Sequence, residues 1–222
     1  MTSHKWSDLP SQTAFPVARP GYPFIFASAF VTAIFALLGL VCLSILGLLV
    51  TGCICWFFRD PDRLVPTEEG LVVSPADGKV IRVEPVDQTP YFPGPCTRVS
   101  IFMSVFNVHV NRVPHEGIIR KVDYYPGKFF SANLDKASAA NEHNALLLES
   151  PNGKWVGFVQ IAGLIARRII CRVQPGDTLS RGQRFGMICF GSRLDVYLPD
   201  QTELRVKTGD RVQAGATVLG KW

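Results

Sequence analysis

The chain has 222 residues and a formal net charge of +5 at pH 7, and apolar and aromatic residues make up 47% of it. This composition allows a sizeable buried core and excludes an intrinsically disordered protein. The positive charge is modest and scattered, with no basic stripe interleaved with aromatic residues, so a nucleic-acid partner is not expected.

The first predicted element is a long apolar segment near the N-terminus. Residues 1–20 are polar, contain prolines and are predicted to form a flexible lead. Residues 21–58 then contain no Asp, Glu, Lys, Arg or His. An apolar run of about 20 residues is enough to span the hydrocarbon core of a bilayer. Residues 21–58 are therefore predicted to be a membrane-associated helical segment, and not a signal peptide.

The apolar segment is too long for one upright helix. A strongly tilted single helix fits its length, and so does a tight helical hairpin with Gly39 or Gly47 near the turn. Basic residues flank it on both sides, with Arg19 before and Arg59 after. This symmetry favours a hairpin with both ends on the cytoplasmic side.

Residues 59–222 are predicted to form a mainly β catalytic domain. Short runs rich in β-branched residues alternate with Gly, Pro, Asn and Asp, which is typical of strands separated by turns. The predicted strands are 71–73, 79–83, 98–103, 107–111, 118–125, 145–149, 155–161 and 169–173. Residues 135–142 are interpreted as a short helix or a loop.

One internal repeat points to the architecture of this domain. The pattern Val-x-x-Gly-Asp-x-apolar-x-x-Gly occurs at residues 173–182 and again at 206–215. Each copy predicts a strand, a tight turn and another strand, in a quasi-twofold arrangement. The pattern resembles the barrel-sandwich fold of biotinyl and lipoyl carrier domains, but the modifiable lysine of those carriers is missing. We therefore expect a barrel-sandwich-like domain without a carrier function.

The six cysteines predict neither disulfides nor a metal site. None of them shows zinc-ligand spacing with a histidine nearby, so reduced thiols and no bound metal are expected. They are Cys42, Cys53, Cys55, Cys96, Cys171 and Cys189.

Three residues in separate motifs could act together in catalysis. Ser192 follows Gly191 and supplies a hydroxyl nucleophile, His109 supplies a base, and Asp77 supplies a carboxylate that orients the base. Each also has a structural explanation. Asp77 begins a common turn dipeptide, His109 alternates with valines and could be a structural or surface residue, and Gly-Ser pairs are usually turns.

The ordered set of motifs resembles the phosphatidylserine decarboxylases, in their short bacterial membrane-associated form, over essentially the whole chain. Longer members carry a His-x-x-His pair and a Gly-Ser-Thr cleavage triplet, whereas here Arg112 holds the second histidine position and Arg193 follows the serine. The matching motifs are WFFRDP at 56–61, SPADG at 74–78, NVHVNRVP at 107–114, YPG at 125–127, NEHN at 141–144, QIAGLIARRI at 160–169 and GMICFGSRLD at 186–195.

The resemblance implies a self-cleaving proenzyme whose cofactor is a covalent pyruvoyl group made from Ser192. Cleavage between Gly191 and Ser192 would give a β chain, residues 1–191, and an α chain, residues 192–222, which remain together as a heterodimer. His109, oriented by Asp77, would take the proton of the serine hydroxyl. The pyruvoyl ketone would form a Schiff base with phosphatidylserine and release CO2 and phosphatidylethanolamine, with His109 as the protonating group.

Three further residues are candidates for substrate binding. His143 could line the pocket or hold a loop. Arg167 and Arg168 could meet the lipid phosphate or the substrate carboxylate, since an arginine fork suits both, or face solvent at a strand edge. His115, which precedes a Glu-Gly turn, is predicted to lie at the surface.

Two other functions fit the same residues. The chain could be a membrane-tethered barrel-sandwich binding or adaptor module, or a membrane-anchored serine hydrolase using Asp77, His109 and Ser192. The decarboxylase reading is preferred because a diacyl substrate stays in the bilayer, where the apolar segment would place the enzyme. The expected location is the bacterial inner membrane, with the catalytic domain on the cytoplasmic face. A higher homo-oligomer is left open.

Overall fold

The apolar N-terminal segment folds as a helical hairpin. The computed structural model describes residues 17–130, 141–164, 168–189 and 191–222. After a short 3-10 turn (Arg19–Gly21), helix α1 covers Tyr22–Leu37 and helix α2 covers Val41–Phe57. By length and composition, the stretch Arg19–Leu37 is long and apolar enough to cross a membrane, and α2 is a shorter apolar helix.

Two glycines explain the shape of the hairpin. Gly39 lies in the turn with φ +73, a left-handed conformation that residues with a Cβ rarely adopt. Gly47 allows close approach of the helices, because a Cβ at this position would lie 2.4 Å from Oγ1 of Thr32. Thr51 also donates a 3.2 Å hydrogen bond to Ser28 across the two helices. Of the two arrangements that the sequence allows, the structure therefore has the hairpin, with its turn at Gly39.

The second compact unit contains Arg63–Trp222 and is built from antiparallel strands. This agrees with the predicted mainly β, barrel-sandwich-like class, since the large sheet curls into a half-barrel. The strands of the described residues are β1 Leu71–Val73, β2 Gly78–Val86, β3 Cys96–Met103, β4 Val110–Arg112, β5 Gly117–Tyr125, β6 His143–Glu149, β7 Trp155–Ile161, β8 Ile169–Cys171, β9 Thr178–Leu179, β10 Arg184–Ile188, β11 Ser192–Pro199, β12 Glu203–Leu204, β13 Arg211–Val212 and β14 Val218–Lys221.

In the described residues these strands make one large and two small sheets. The large sheet has the order β13-β2-β3-β11-β7-β6-β5-β9, and the small sheets have the orders β1-β14-β12 and β4-β10-β8. The main core lies on one face of the large sheet and includes side chains of both small sheets. For example, Phe158 of β7 meets Phe185 of β10 edge to face, with ring centroids 5.0 Å apart.

One edge of the large sheet is important for the site. It is formed by the ends of successive strands and not by an outer strand. There β3, β5 and β7 end, and β2, β6 and β11 begin. We call it the Ser192 edge, after the first residue of β11. One row of paired residues crosses these six strands just inside the edge: Tyr125, His143, Ile161, Arg193, Phe102 and Lys79.

The two copies of the sequence repeat form the same turn. In the first copy, the backbone N–H of Gln174 donates to the Asp177 carboxylate at 2.9 Å. In the second copy, the N–H of Lys207 donates to Asp210 at the same distance. The Gly-Asp pair is therefore explained by a local turn, in which Asp satisfies a backbone donor and Gly supplies a left-handed φ.

The copies also dock in equivalent ways. Gly176 N–H donates to the carbonyl of Ile119 on β5, and Gly209 N–H donates to the carbonyl of Val80 on β2, both at 2.8 Å. The two copies therefore make equivalent contacts with the large sheet.

Two expectations about histidines need correction. The strand predicted for 107–111 begins only at Val110, because Asn107 closes a turn onto Ser104. His109 lies before this strand and is buried, as are Val108 and Val110, so it is not a surface residue. His115 is also buried, not at the surface, because its ring stacks on Trp222 with centroids 4.7 Å apart.

Candidate active site

Gly191 and Ser192 lie at the start of β11, where the chain enters the core. Gly191 has φ +59, and a Cβ built on it would meet no atom within 4 Å, so its need for glycine is conformational rather than steric. Ser192 is fully buried, and among the described residues its Oγ has no hydrogen-bond partner. A buried hydroxyl without a partner costs about 1–3 kcal/mol. Such a group is a candidate for function.

Met103 lies opposite Ser192 in the β3–β11 pair. The residue before it, Phe102, packs its carbonyl against Gly78, where an added Cβ would lie only 2.2 Å from the oxygen. The turn that contains Asp77 therefore lies against the end of β3, and Ser192 lies beside the same strand end. The predicted carboxylate and nucleophile are brought to one region of the domain.

His109 is held in the same region by the small sheet. Its carbonyl accepts a hydrogen bond from Ile188 N–H at 3.4 Å, at the end of β10 and four residues before Ser192 along the chain. Its side chain has no exposed surface. The structure therefore places the predicted base in the interior, next to the segment that leads into Ser192.

The Asp77 carboxylate accepts hydrogen bonds from a side chain and from the backbone. The guanidinium of Arg63 donates to Oδ2 at 2.8 Å, and the backbone N–H of Ala214 donates to Oδ1 at 2.7 Å. Arg63 and Asp77 are both largely buried, so this ion pair is only weakly screened by solvent. The Ala214 contact also ties Asp77 to the second copy of the repeat.

A chain of buried amides lines the interior beside Ser192, and it was not predicted from the sequence. Asn111 donates to the sulfur of Met103 at 3.6 Å, and Gln160 donates to Oδ1 of Asn111 at 2.8 Å. Asn144 extends the chain by a 3.3 Å hydrogen bond to Gln160. In the sequence, this chain of amides is indicated by a single polar residue, Gln160, inside an otherwise apolar strand.

The opposite face of β11 carries a buried ion pair. Nη2 of Arg193 donates to Oδ2 of Asp195 at 3.0 Å, and Nε of Arg193 lies 2.9 Å from Oδ1. Neither side chain is exposed by more than 3%. Because successive residues of a strand point to opposite faces, this pair lies behind Ser192 and anchors the strand that begins there.

His143 lies on the face of the sheet that carries Arg193, not on the face of Ser192. Its strand partner is Ile161, which in turn pairs with Arg193. Its Nε2 lies 2.8 Å from the hydroxyl of Tyr91, and Tyr125 stacks on its ring with centroids 4.6 Å apart. The structure thus separates His143 from Ser192 by the thickness of the sheet.

The arginines named in the sequence analysis have different surroundings. Arg168 is exposed, and its carbonyl accepts a hydrogen bond from Cys189 N–H at 3.3 Å, close to the Ser192 edge. Arg112, at the position of the second histidine of longer relatives, is buried and donates to the carbonyl of Gly182 at 3.0 Å. Arg167 lies outside the described residues.

Cys189 is the other nucleophilic side chain near Ser192. Burial raises the pKa of its thiol above the usual value, which keeps it protonated near neutral pH. A neutral thiol is a poor nucleophile, so Ser192 is the better candidate. The arrangement as a whole offers the buried hydroxyl of Ser192 next to the carbonyl of a glycine with a left-handed φ, with an imidazole in the same region.

Comparisons with known proteins identify the family of this chain. A family model described as phosphatidylserine decarboxylase matches residues 50–220. A protein of Nitratidesulfovibrio vulgaris named phosphatidylserine decarboxylase proenzyme is 54% identical over 92% of this chain and 94% of its own length. Proteins of the same name from Syntrophus aciditrophicus and Desulfotalea psychrophila are 52% and 48% identical, over 92% and 95% of this chain and 96% and 98% of their own lengths. This chain belongs to the phosphatidylserine decarboxylase family.

Proposed function

We propose that the chain is a self-processing decarboxylase that converts phosphatidylserine to phosphatidylethanolamine and CO2. The family supports the substrate and the proenzyme state. The observation that carries the processing step is the pair Gly191–Ser192, with a left-handed glycine directly before a fully buried serine hydroxyl. That serine heads a central strand in which residues 193–197 pair with a neighbouring strand on each side.

In the processing step, Oγ of Ser192 attacks the carbonyl carbon of Gly191. The C–N bond to Ser192 then breaks and the amide becomes an ester, while His109 takes the hydroxyl proton and passes it to the released amine. β-Elimination then releases Gly191 as a carboxylate and leaves a dehydroalanine at residue 192. Water converts this residue to a pyruvoyl group with loss of ammonia. Holding nucleophile and carbonyl in one chain supports the step, since well-aligned intramolecular reactions gain up to about 7–11 kcal/mol.

The surroundings of Ser192 suit the proposed cofactor. A pyruvoyl group supplies a ketone that condenses with the substrate amine and withdraws electrons as the carboxylate leaves. The backbone of Arg193–Tyr197 pairs with β7, and β3 pairs with the whole of β11. These two neighbours would keep the α fragment in the sheet after cleavage, which supports a heterodimer of the two fragments. Met103 and Asn111 remain beside the new terminus, and His109 is proposed to return a proton to the substrate carbon.

The proposed location is the bacterial inner membrane with the β domain in the cytoplasm. The apolar hairpin Tyr22–Phe57 supports membrane association, and a diacyl substrate resides in a bilayer. Both ends of the hairpin lie on one side of its turn, which is consistent with flanking Arg19 and Arg59 on the same face.

Intact-mass analysis of the purified protein tests the proposal. We expect a fragment of residues 192–222 that begins with a keto acid, and decarboxylation of phosphatidylserine. Ser192→Ala should remain one uncleaved, inactive chain, and His109→Ala and Asp77→Asn should cleave very slowly or not at all. An uncleaved wild-type chain that still decarboxylates phosphatidylserine would overturn the proposal. Full processing in the His109 and Asp77 variants would remove those residues from the cleavage step.

A further inference from the structure

Exposed apolar side chains concentrate at the Ser192 edge. The described part of the β domain exposes six large apolar side chains, and five of them lie on strand ends or loops at this edge. We call these five the apolar rim: Val105, Phe106, Tyr124, Phe130 and Leu164. Phe106 is 77% exposed and Leu164 is 60% exposed. The sixth side chain, Leu64, lies in the segment before β1.

The rim is held in place by specific hydrogen bonds. Asn107 accepts from both the N–H and the hydroxyl of Ser104, at 2.9 and 2.7 Å, which closes a tight turn with Val105 and Phe106 at its tip. Asn141 is buried and donates to the carbonyls of Phe130 and Ala162 at 2.8 and 2.7 Å. It therefore ties together the loops that carry Phe130 and Leu164. Apolar groups that are held outward in this way indicate a binding surface.

Charged residues of these loops favour an anionic partner. Lys128 and Arg168 are exposed in the same loops. In the described part of these loops the acidic residue is Glu142. It is half-buried, and its carboxylate is a hydrogen-bond partner of the Tyr124 hydroxyl. Apolar side chains flanked by exposed cations are the combination that binds anionic bilayer surfaces.

The opposite edge of the same sheet has a different character. Its described turns expose polar or acidic residues such as Asp87, Asn152 and Asp200, and the exposed large apolar side chains are not found there. The asymmetry gives the β domain one apolar, basic edge, and that edge contains Ser192.

We propose that the apolar rim inserts into the headgroup region of an anionic bilayer, so that the Ser192 edge meets its lipid substrate in the membrane. This inference rests on the proposed function for the identity of the substrate. It assigns a membrane contact to residues of the β domain, in addition to the apolar helices. Insertion of the rim would deliver the headgroup of a bilayer lipid to the site without extraction of its acyl chains.

Two substrates test the proposal, with the same headgroup but different acyl-chain lengths and therefore different aggregation states. The full chain is assayed with long-chain phosphatidylserine in phosphatidylglycerol vesicles and with dispersed dihexanoyl phosphatidylserine. The double variant Phe106→Asp/Leu164→Asp should lose at least tenfold of its activity on vesicles and change less than about twofold on the dispersed substrate. The matched double variant Asn152→Asp/Gln201→Glu, on the opposite edge, adds the same charge and should keep both activities.

A cross-linking measurement does not depend on activity. A photoreactive benzoylphenylalanine replaces Phe106 or, as the control, Asn152, in protein reconstituted in the same vesicles. Lipid adducts are expected at 106 and not at 152. Cross-links from 106 to a second copy of the chain, in place of lipid, would overturn the proposal in favour of a protein interface.

The outcomes separate the rim from the proposed function. Equal losses of activity on both substrates would overturn the proposed insertion of the rim. Full activity of the rim variant on vesicles would overturn it as well. Failure of the proposed function has another signature, since the wild-type chain would then act on neither substrate and release no fragment 192–222. Lipid cross-linking at 106 would still support the rim in that case.

Discussion

Ser192 lies directly opposite Met103 in the β11–β3 pair, and the sulfur of Met103 accepts a hydrogen bond from Asn111. This places the proposed precursor of the cofactor at one end of the buried amide chain of Asn111, Gln160 and Asn144. Polar groups in a core are stable only when their hydrogen bonds are satisfied. The amide chain is therefore expected to be tightly coupled, and its members can be tested against one another.

The first prediction concerns the hydrogen bond between Gln160 and Asn111. Gln160→Leu should lower the free energy of unfolding by about 1–3 kcal/mol, because it leaves the Asn111 oxygen buried without its donor. The double variant with Asn111→Leu should lose less than the sum of the two single variants. Urea unfolding measures this in a Ser192→Ala background, where the chain stays intact. Additive losses would show that the two amides are not coupled.

Gly191 gives a second prediction, on the rate of processing. Gly191→Ala should fold but cleave about tenfold more slowly, since a left-handed φ costs a residue with a Cβ about 1–2 kcal/mol. The appearance of fragment 192–222 over time measures the rate. Gly94→Ala is the matched control, because Gly94 also has a positive φ with open space around it, on the opposite edge. Equal slowing in both variants would point to a general loss of stability.

A third prediction concerns the buried ion pair behind the scissile bond. Either Arg193→Met or Asp195→Leu alone should destabilise the uncleaved Ser192→Ala chain by about 3–5 kcal/mol, because each removes one partner of a buried ion pair. The double variant should be much closer to the parent chain. Urea unfolding of the parent chain, the two single variants and the double variant measures the coupling between the two residues. If the double variant were the least stable of the four, the pair would be acting through other partners.

The fourth prediction is a dependence of stability on pH. Burial lowers the pKa of His115 below its usual value of 6.5, while contacts with Glu116 oppose the shift and Arg181 supports it. Its Nδ1 donates to the Glu116 carbonyl at 2.7 Å, and among the described residues its buried Nε2 has no partner to accept a second proton. A His with a lowered pKa binds fewer protons when folded, so its contribution to stability is present above about pH 6.5 and is lost as the pH falls through the folded pKa.

Unfolding of the Ser192→Ala chain between pH 7.5 and pH 5 tests this fourth prediction. The free energy of unfolding should fall as the pH decreases, and a second His115→Gln substitution should flatten the decline. Glu116 has a lowered pKa as well and would begin to lose its own contribution only at more acidic pH. An unchanged slope in the His115→Gln variant would assign the pH dependence to other groups.

The amino-acid sequence alone determined the class of this protein. The uncharged run of residues 21–58 indicated a membrane hairpin or a tilted helix, and the strand and turn pattern indicated a mainly β domain, because local periodicity and turn residues act over short distances. The Gly-Asp repeat was informative for the same reason, as each copy builds its turn from its own residues. The family also followed from the order of motifs along the chain.

Only the tertiary structure decided which side chains meet. His109 and His115 are buried because distant elements cover them, which a local pattern of alternation does not reveal. His143 and Ser192 belong to motifs that the sequence treats alike, yet the register of three strands puts them on opposite faces of a sheet. The amide chain beside Ser192 and the apolar rim likewise arise from residues far apart in sequence. Long-range pairing of strands, which depends on the whole fold, brings them to one edge.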